Sequence, residues 1–360
     1  MDSSLHFVIM AGGRGTRFWP RSRAKRPKQL LDIVGSKSIL EQTLDRLLPL
    51  TDWDHIWVVT EISQAEPIKE LLPELPESRL IIEPLGRNTA PCIGLAALIL
   101  EKTDPAAVMA VLPADHYISQ IPAFQETLLA AVRTARSGDH LVTLGIKPTF
   151  PETGFGYLER GKPLMDINGH TVWEVKAFHE KPDRSRAELM LKTGLFFWNS
   201  GMFVWTVSAI REQMARLTPA MHEELLKLKK YLDTPGWEEA LRAGYEAMEN
   251  VSIDYAVMER ADKVLMLAGD FGWNDVGSWE AVYQLEPKDE RGNYLEGPVL
   301  ILDSQGCLVH SPQKTVGLIG MKDLIVVDTP DALLICPRER AQEVKKIVEM
   351  LEAQGKIELL

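Results

Sequence analysis

Residues 7–31 read FVIMAGGRGTRFWPRSRAKRPKQLL, and this stretch decides how the rest of the chain is read. The apolar run 7–10 stops at Ala11, Gly12 and Gly13, with Gly15 following. A short buried strand that ends in glycines belongs to an α/β sheet, where ligands bind at the strand ends. Arg14, Arg17, Arg21, Arg23, Lys25, Arg26 and Lys28 then put seven cations into fifteen positions, with no acid between Asp2 and Asp32. The whole chain carries a formal charge of -11, so the loop inverts its local character. Bare amides and fixed cations converge naturally on phosphate oxygens. A solvated basic loop is the usual fate of a charge run, but the glycines at the strand end speak against it. Neither familiar phosphate motif is present: G-x-G-x-x-G from Gly13 fails at Phe18, and a P-loop from Gly12 or Gly13 lacks its second glycine.

Outward from this loop, apolar periodicity predicts helices over 38–50, 64–72 and 124–136, and strands over 55–60, 79–83, 107–112 and 140–146. Thr89 is placed to cap a further helix, with Pro91 in its first turn. Strands alternating with helices at this spacing give βαβ units and a mainly parallel sheet. Past residue 147 the rhythm changes to strands over 157–180, with a turn at 166–169, and over 195–205. Helices over 208–217, 221–231, 237–248 and 253–260 and a strand over 263–268 follow. This middle third reads as a lid or substrate layer packed on the first sheet. After about residue 290, short apolar runs at 299–302, 307–309, 316–319, 324–327 and 332–335 recur between turn clusters. They predict a small all-β unit, a solenoid-like coil or a compact meander, closed by a helix over 338–353. The division expected is therefore 1–290 and 291–360.

Composition narrows the class. With 360 residues, 45% hydrophobic and 25% charged, the chain has room for a large core and about two domains. A pI near 5.3 argues against sequence-independent nucleic-acid binding. Cys92, Cys307 and Cys336 form no C-x-x-C pair, and read as reduced thiols of a cytoplasmic protein. The N-terminus has no basic n-region, and no apolar run approaches membrane-spanning length.

Several residues are candidates for chemistry. Asp115, in AVLPADH, ends a strand on the same edge as the glycine loop, and Asp275, in GWNDVGSW, lies in a loop just after another strand. Two such carboxylates suit a hard divalent cation, with phosphates and waters completing its shell. Glu180 offers an acceptor for sugar hydroxyls and Lys181 a charge for a phosphate. His116 and His179 are left out of the mechanism, because attack by an ionised phosphate needs no general base.

The stretch AGGRGTRFWPRSRAKRPKQL closely resembles the G-G-x-G-T-R…P-K-Q loop of the sugar-1-phosphate nucleotidyltransferases. With PLGRNTAP (84–91), LPADH (112–116), TGFGYL (153–158), FHEKP (178–182), FWNSGMF (197–203), SIDYAVME (252–259), WNDVGSW (273–279) and KDLIVVDTPDALLI (322–335), the chain resembles the bacterial mannose-1-phosphate guanylyltransferases over essentially its whole length. The resemblance implies a Rossmann-like α/β fold with a mixed, mainly parallel sheet and a small left-handed β-helix-like C-terminal unit. It implies transfer of GMP from GTP to mannose 1-phosphate, with Mg2+ as cofactor; the oligomeric state is left open, the apolar C-terminal unit being one that could support a homodimer. Ala11, Gly12, Gly13, Gly15, Thr16, Pro84, Asn88, Thr89 and Ala90 would bind the nucleotide, and Arg17 and Lys28 would neutralise its phosphates. Asp115 and Asp275 would hold the metal. Gly156, Glu180, Asn199, Asp254 and Asp275 would face the sugar, with Lys181 on its phosphate. Arg17, Lys28, Asp115 and Lys181 would be the catalytic set, while Arg21, Arg23, Lys25 and Arg26 would tune the field or close over the triphosphate. His179 stands where relatives often carry valine. Relatives often continue into an isomerase domain, so with the chain ending at Leu360 a second activity is not expected. The rival functions are a nucleotidyltransferase of other base or sugar preference and a silent nucleotide-sugar-binding regulator.

Overall fold

The computed structural model describes residues 2–360. Its centre is a nine-stranded mixed sheet. The strands are β1 (Leu5–Ala11), β2 (Ile56–Glu61), β3 (Leu80–Glu83) and β4 (Val108–Pro113). A short β5 (Tyr117–Ile118) lies outside this sheet, and β6 (Leu141–Ile146), β7 (Tyr157–Ile167), β8 (His170–His179), β9 (Phe196–Thr206) and β10 (Val264–Gly269) complete it. Their order is β3-β2-β1-β4-β9-β6-β10-β8-β7. Pairing is parallel from β3 through β4 and between β6 and β10, and antiparallel around β9 and in the β7–β8 hairpin.

The strands are continuous apolar runs because both faces are covered. In β1, Val8 packs into the core on one face, while Phe7 and Ile9 pack into the core on the other. The helices Thr89–Thr103, Val207–Leu217, Pro219–Lys229 and Trp237–Ala247 cover the first face. The second is covered by Ile39–Leu47 and Ile121–Arg136. Ser38 and Glu41 close the former with a reciprocal capping box.

Two expectations change. The middle third is not a layer laid on the sheet. It supplies strands of the sheet itself, with β9 inserted between β4 and β6 and β10 between β6 and β8. A long apolar strand such as FFWNSGMFVW buries more surface inside a sheet than above one. The cap of the helix Thr89–Thr103 is Asn88, not Thr89. Asn88, at the positive φ of 67°, accepts from the Thr89 amide at 2.9 Å, and the Thr89 hydroxyl instead accepts from the Ile253 amide at 2.8 Å.

A two-stranded ribbon pairs β5 with β11 (Trp273–Asn274), Tyr117 facing Asn274. Beyond it lie β12 (Tyr294–Glu296), β13 (Val299–Leu302), β14 (Leu308–His310), β15 (Val316–Ile319), β16 (Leu324–Asp328) and β17 (Leu333–Pro337). Parallel ladders β12–β14–β16 and β13–β15 make this unit a coil rather than a meander. The antiparallel β17 closes it. Leu308, Ile325, Val327 and Leu334 of the coil share one apolar cluster with Phe18, Trp19 and Trp279. The turn Arg338–Glu343 and helix Val344–Ala353 finish the chain, with Ala341, Val344 and Val348 in that cluster.

Candidate active site

The parallel strands present their C-terminal ends on one edge, and the glycine loop, Glu83 and Asp115 gather there. The loop is held from below. Gln29 donates to Gln64 at 2.7 Å, Gln64 donates to the Gly13 carbonyl at 3.2 Å, and Ser22 donates to the Gly15 carbonyl at 2.7 Å. Gly15 has φ 59°, and a Cβ there would lie 2.5 Å from Lys28 Cβ, so only glycine lets the loop fold over Lys28.

The cation cluster divides. Arg14 pairs with Glu352 at 2.7 Å, Arg21 with Asp32 and Arg23 with Asp331 at 3.0 Å. Arg21 and Arg23 are thus engaged in ion pairs with Asp32 and Asp331. Lys28 is only 5% exposed and reaches Asp115 Oδ2 at 2.9 Å and the Asp275 carbonyl at 2.6 Å. Asp115 and Asp275 come together because the β5–β11 ribbon stitches their two loops. Burial pushes the Asp275 carboxyl up to about 6, Lys28 opposing and Asp115 adding to the rise. Burial also works against ionised Asp115, but Lys28 and His116 hold its carboxyl below the ordinary value. His116 is pushed down to about 4, first by burial, and accepts from the Trp273 indole at 3.1 Å.

A cleft of about 580 Å³ runs along this edge. Gly12, Gly13, Asn88, Thr89, Asp115, Gly156, Glu180, Asn199, Asp254 and Asp275 all line it. Gly15, Thr16, Arg17 and Lys28 line an adjoining cavity of about 330 Å³ that also reaches Asp115 and Asp275. Ala11, Pro84, Ala90 and Lys181 line neither. Ala11 and Ala90 are fully buried, the Ala11 carbonyl accepting from Thr60 and the Ala90 amide donating to Val251. Lys181 is 58% exposed and pairs with Glu180 at 2.8 Å.

At the other end of the cleft, a register shift between β6 and β9 falls beside Asn199. Such a bulge re-aims a side chain. Asn199 accepts from Thr143 at 3.1 Å and donates to Asp254 at 2.9 Å. Asp254 starts a π-helical turn, Asp254–Met258, where a regular helix was expected. Burial and then Glu180 raise its carboxyl to about 6. A Cβ on Gly156 would lie 2.5 Å from Glu180 Oε2, so glycine makes room for that carboxylate.

One lining residue escaped the sequence reading. Glu83 ends β3, is buried, and receives a hydrogen bond from the Tyr245 hydroxyl at 3.1 Å. Burial raises it to about 8. It obeys the rule that singled out Asp115, an acid at the end of a parallel strand, and was legible in RLIIE.

The class follows from the family match: the nucleotidyl transferase family model covers residues 6–292. A MannoseP isomerase/GMP-like β-helix domain matches residues 297–351. The chain is 40% identical over 357 residues to a mannose-1-phosphate guanylyltransferase of Klebsiella pneumoniae, covering 98% of this chain and 74% of the relative. Alginate biosynthesis protein AlgA of Pseudomonas aeruginosa is 37% identical over 360 residues, covering 98% of this chain and 73% of the relative. A crystal structure described as a mannose-1-phosphate geranyltransferase from Thermus thermophilus superposes with a TM-score of 0.86 at 34% identity, covering 97% of this chain and 99% of that one. The chain belongs to the mannose-1-phosphate guanylyltransferase family and is a nucleotidyltransferase enzyme.

Proposed function

We propose that the chain transfers GMP from GTP to α-D-mannose 1-phosphate, forming GDP-mannose and pyrophosphate. The supporting observation is that one cleft is lined together by Glu83, Asn88, Asp115, Gly156, Glu180, Asn199, Asp254 and Asp275. Guanine presents two donors on one edge, N1–H and the exocyclic amine, and a carboxylate is the acceptor that takes both. Glu83 lines the cleft beside Asn88; its carboxyl, raised to about 8 by burial in the ligand-free cleft, would take both donors once it ionises against the base.

In the reaction, a sugar-phosphate oxygen forms a bond to the α-phosphorus while the bond to the bridging oxygen breaks in line, its electron pair leaving with pyrophosphate. Both reactants are anions. Two unit charges about 4 Å apart interact by roughly 4 kcal/mol at an effective dielectric of about 20, so one lysine does not offset several phosphate charges. Arg17 and Lys28 neutralise the triphosphate, and Lys181 the sugar phosphate. Glu180, Asn199 and Asp254 position the hydroxyls, and catalysis is chiefly positioning and electrostatic stabilisation.

Nucleotidyl transferases generally use divalent cations, and the donor set here fits one. Asp115 and Asp275 line one cavity, and the Asp275 carboxyl is raised chiefly by its burial, with Asp115 adding to the rise. Among the described residues no cluster of three or more ligating side chains exists, which leaves room for phosphates and water. These two residues would hold Mg2+, which when bound supplies positive charge to the phosphate oxygens.

The same proposal includes the division 1–290 and 291–360, a cytoplasmic location and a homodimer. Among the described residues no helix is long and apolar enough to cross a membrane, and Leu300, Leu302 and Ile319 expose apolar surface on β13 and β15.

Pyrophosphate release with GTP, UTP, dTTP or ATP, each with mannose 1-phosphate or glucose 1-phosphate, tests the reading. Marked preference for GTP with mannose 1-phosphate is expected. Equal turnover of UTP with glucose 1-phosphate would overturn it, and GTP binding without pyrophosphate release would favour the regulator.

A further inference from the structure

The cavity that holds Arg17 and Lys28 has a third cation on its wall, and it comes from the far end of the chain. Lys345 lines this cavity together with Gly15, Thr16, Asp115 and Asp275. It also lines, with Arg17, Gln342 and Asp275, the adjoining cavity of about 630 Å³. Lys345 therefore borders both spaces beside the metal carboxylates.

Three features separate it from an ordinary surface lysine. Its neighbour Lys346 is paired with Glu343 at 3.0 Å, whereas among the described residues neither Lys345 nor Arg17 has a carboxylate within the 4.0 Å of an ion pair. Lys345 is exposed in the first turn of the helix Val344–Ala353, and the acidic N-cap Glu343 beside it is already paired with Arg340 and Lys346. Its position is also fixed: Val344 and Val348 are buried against Phe18 and Trp19, Arg14 pairs with Glu352, and the Trp19 indole donates to the Leu359 carbonyl at 3.0 Å. The helix that carries Lys345 is docked on the glycine loop itself. Lys28 is already paired with Asp115, so Arg17 and Lys345 are the cations of this cavity left for an incoming anion.

We propose that Lys345 binds the β- and γ-phosphates of GTP, and hence the leaving pyrophosphate, so that the C-terminal unit contributes a substrate-binding residue to the active site. The inference rests on the proposed reaction for the identity of the anion. It assigns to the closing helix a task beyond packing.

The test compares the wild type with K345A, K345R and, as a control on the same helix turn, K346A. Inorganic pyrophosphate with Mg2+ is titrated calorimetrically, and KM values are measured in both directions. K345A is expected to weaken pyrophosphate binding and raise the KM for GTP by about tenfold, the scale of one charge-assisted hydrogen bond. The KM for mannose 1-phosphate should stay within about twofold, K345R should recover most of the loss, and K346A should match the wild type. Unchanged pyrophosphate affinity in K345A would overturn the proposal, as would equal losses for pyrophosphate and mannose 1-phosphate. The calorimetric arm needs no turnover, so a wild type that binds pyrophosphate but prefers another nucleotide or sugar would sink the reaction assignment and leave Lys345 separately decided.

Discussion

The Lys28 ammonium lies 2.9 Å from Asp115 Oδ2, and the same nitrogen meets the Asp275 carbonyl at 2.6 Å. A cation from the glycine loop thus bridges the two segments proposed to hold the metal. D115N and D275N are each expected to cut turnover by about a hundredfold or more. Their effects on folding differ. D275N removes a carboxylate whose burial opposes ionisation, so its melting temperature at neutral pH should equal or exceed that of the wild type. D115N leaves the buried Lys28 without its charged partner, the Asp275 carbonyl alone remaining with a neutral amide, and should melt lower. Near-normal Mg2+-dependent activity in both variants would show the metal assignment to be wrong.

Base choice is the second expectation. Glu83 receives the Tyr245 hydroxyl at 3.1 Å, and glutamine keeps that acceptor while replacing the other oxygen with a donor. E83Q should lower the kcat/KM ratio of GTP to UTP by about tenfold or more. The KM for mannose 1-phosphate should not move. A ratio that survives E83Q places guanine recognition elsewhere.

At the sugar end, the Gly156 contact gives a directional test. A methyl group there would meet Glu180 Oε2 at 2.5 Å and Phe178 at 3.1 Å. G156A should raise the KM for mannose 1-phosphate about tenfold by displacing the carboxylate, with the KM for GTP unchanged. Parallel rises in both constants would indicate a general distortion instead.

The raised carboxyls also set a pH dependence. Asp254 moves from an ordinary 3.8 to about 6 and Glu83 from 4.5 to about 8. In each window the folded chain holds a proton that the unfolded chain has released, so stability falls as pH rises. The ligand-free protein should lose stability from pH 4 to 6 through Asp254, and from 4.5 to 8 through Glu83. E83Q should flatten the slope between pH 6 and 8, read by urea denaturation at each pH. An unaltered slope would mean that Glu83 titrates normally.

Much of this was legible in the sequence because periodicity reports burial. The runs at 7–10, 55–60, 107–112 and 140–146 became strands of one sheet, and the short C-terminal runs became the coil. The place of β9 was not legible, since LFFWNSGMFVW is equally apolar above a sheet or within it; only its pairing with Val108–Val111 and Val142–Ile146 decides. Asp115 was legible as an acid at a strand end, and Glu83 should have been by the same rule. The ion pairs of Arg21 and Arg23 with Asp32 and Asp331 were not legible, because they form only once the chain is folded. Nothing local in the stretch RERAQEVKKIVE separates Lys345 from Lys346 as a ligand for phosphate; that distinction is tertiary.

The insertion of β9 and β10 into the middle of the sheet bears on biosynthesis. A ribosome delivers β1 to β4 and β6 long before residues 196–206 and 264–269 exist. Until then β4 and β6 carry open hydrogen-bonding edges, the kind of surface on which nascent chains associate wrongly. The nucleotide half cannot mature first and wait for the sugar half. Completion of the sheet and completion of the cleft are one late event, so a chain stalled before residue 264 is both unprotected and inactive.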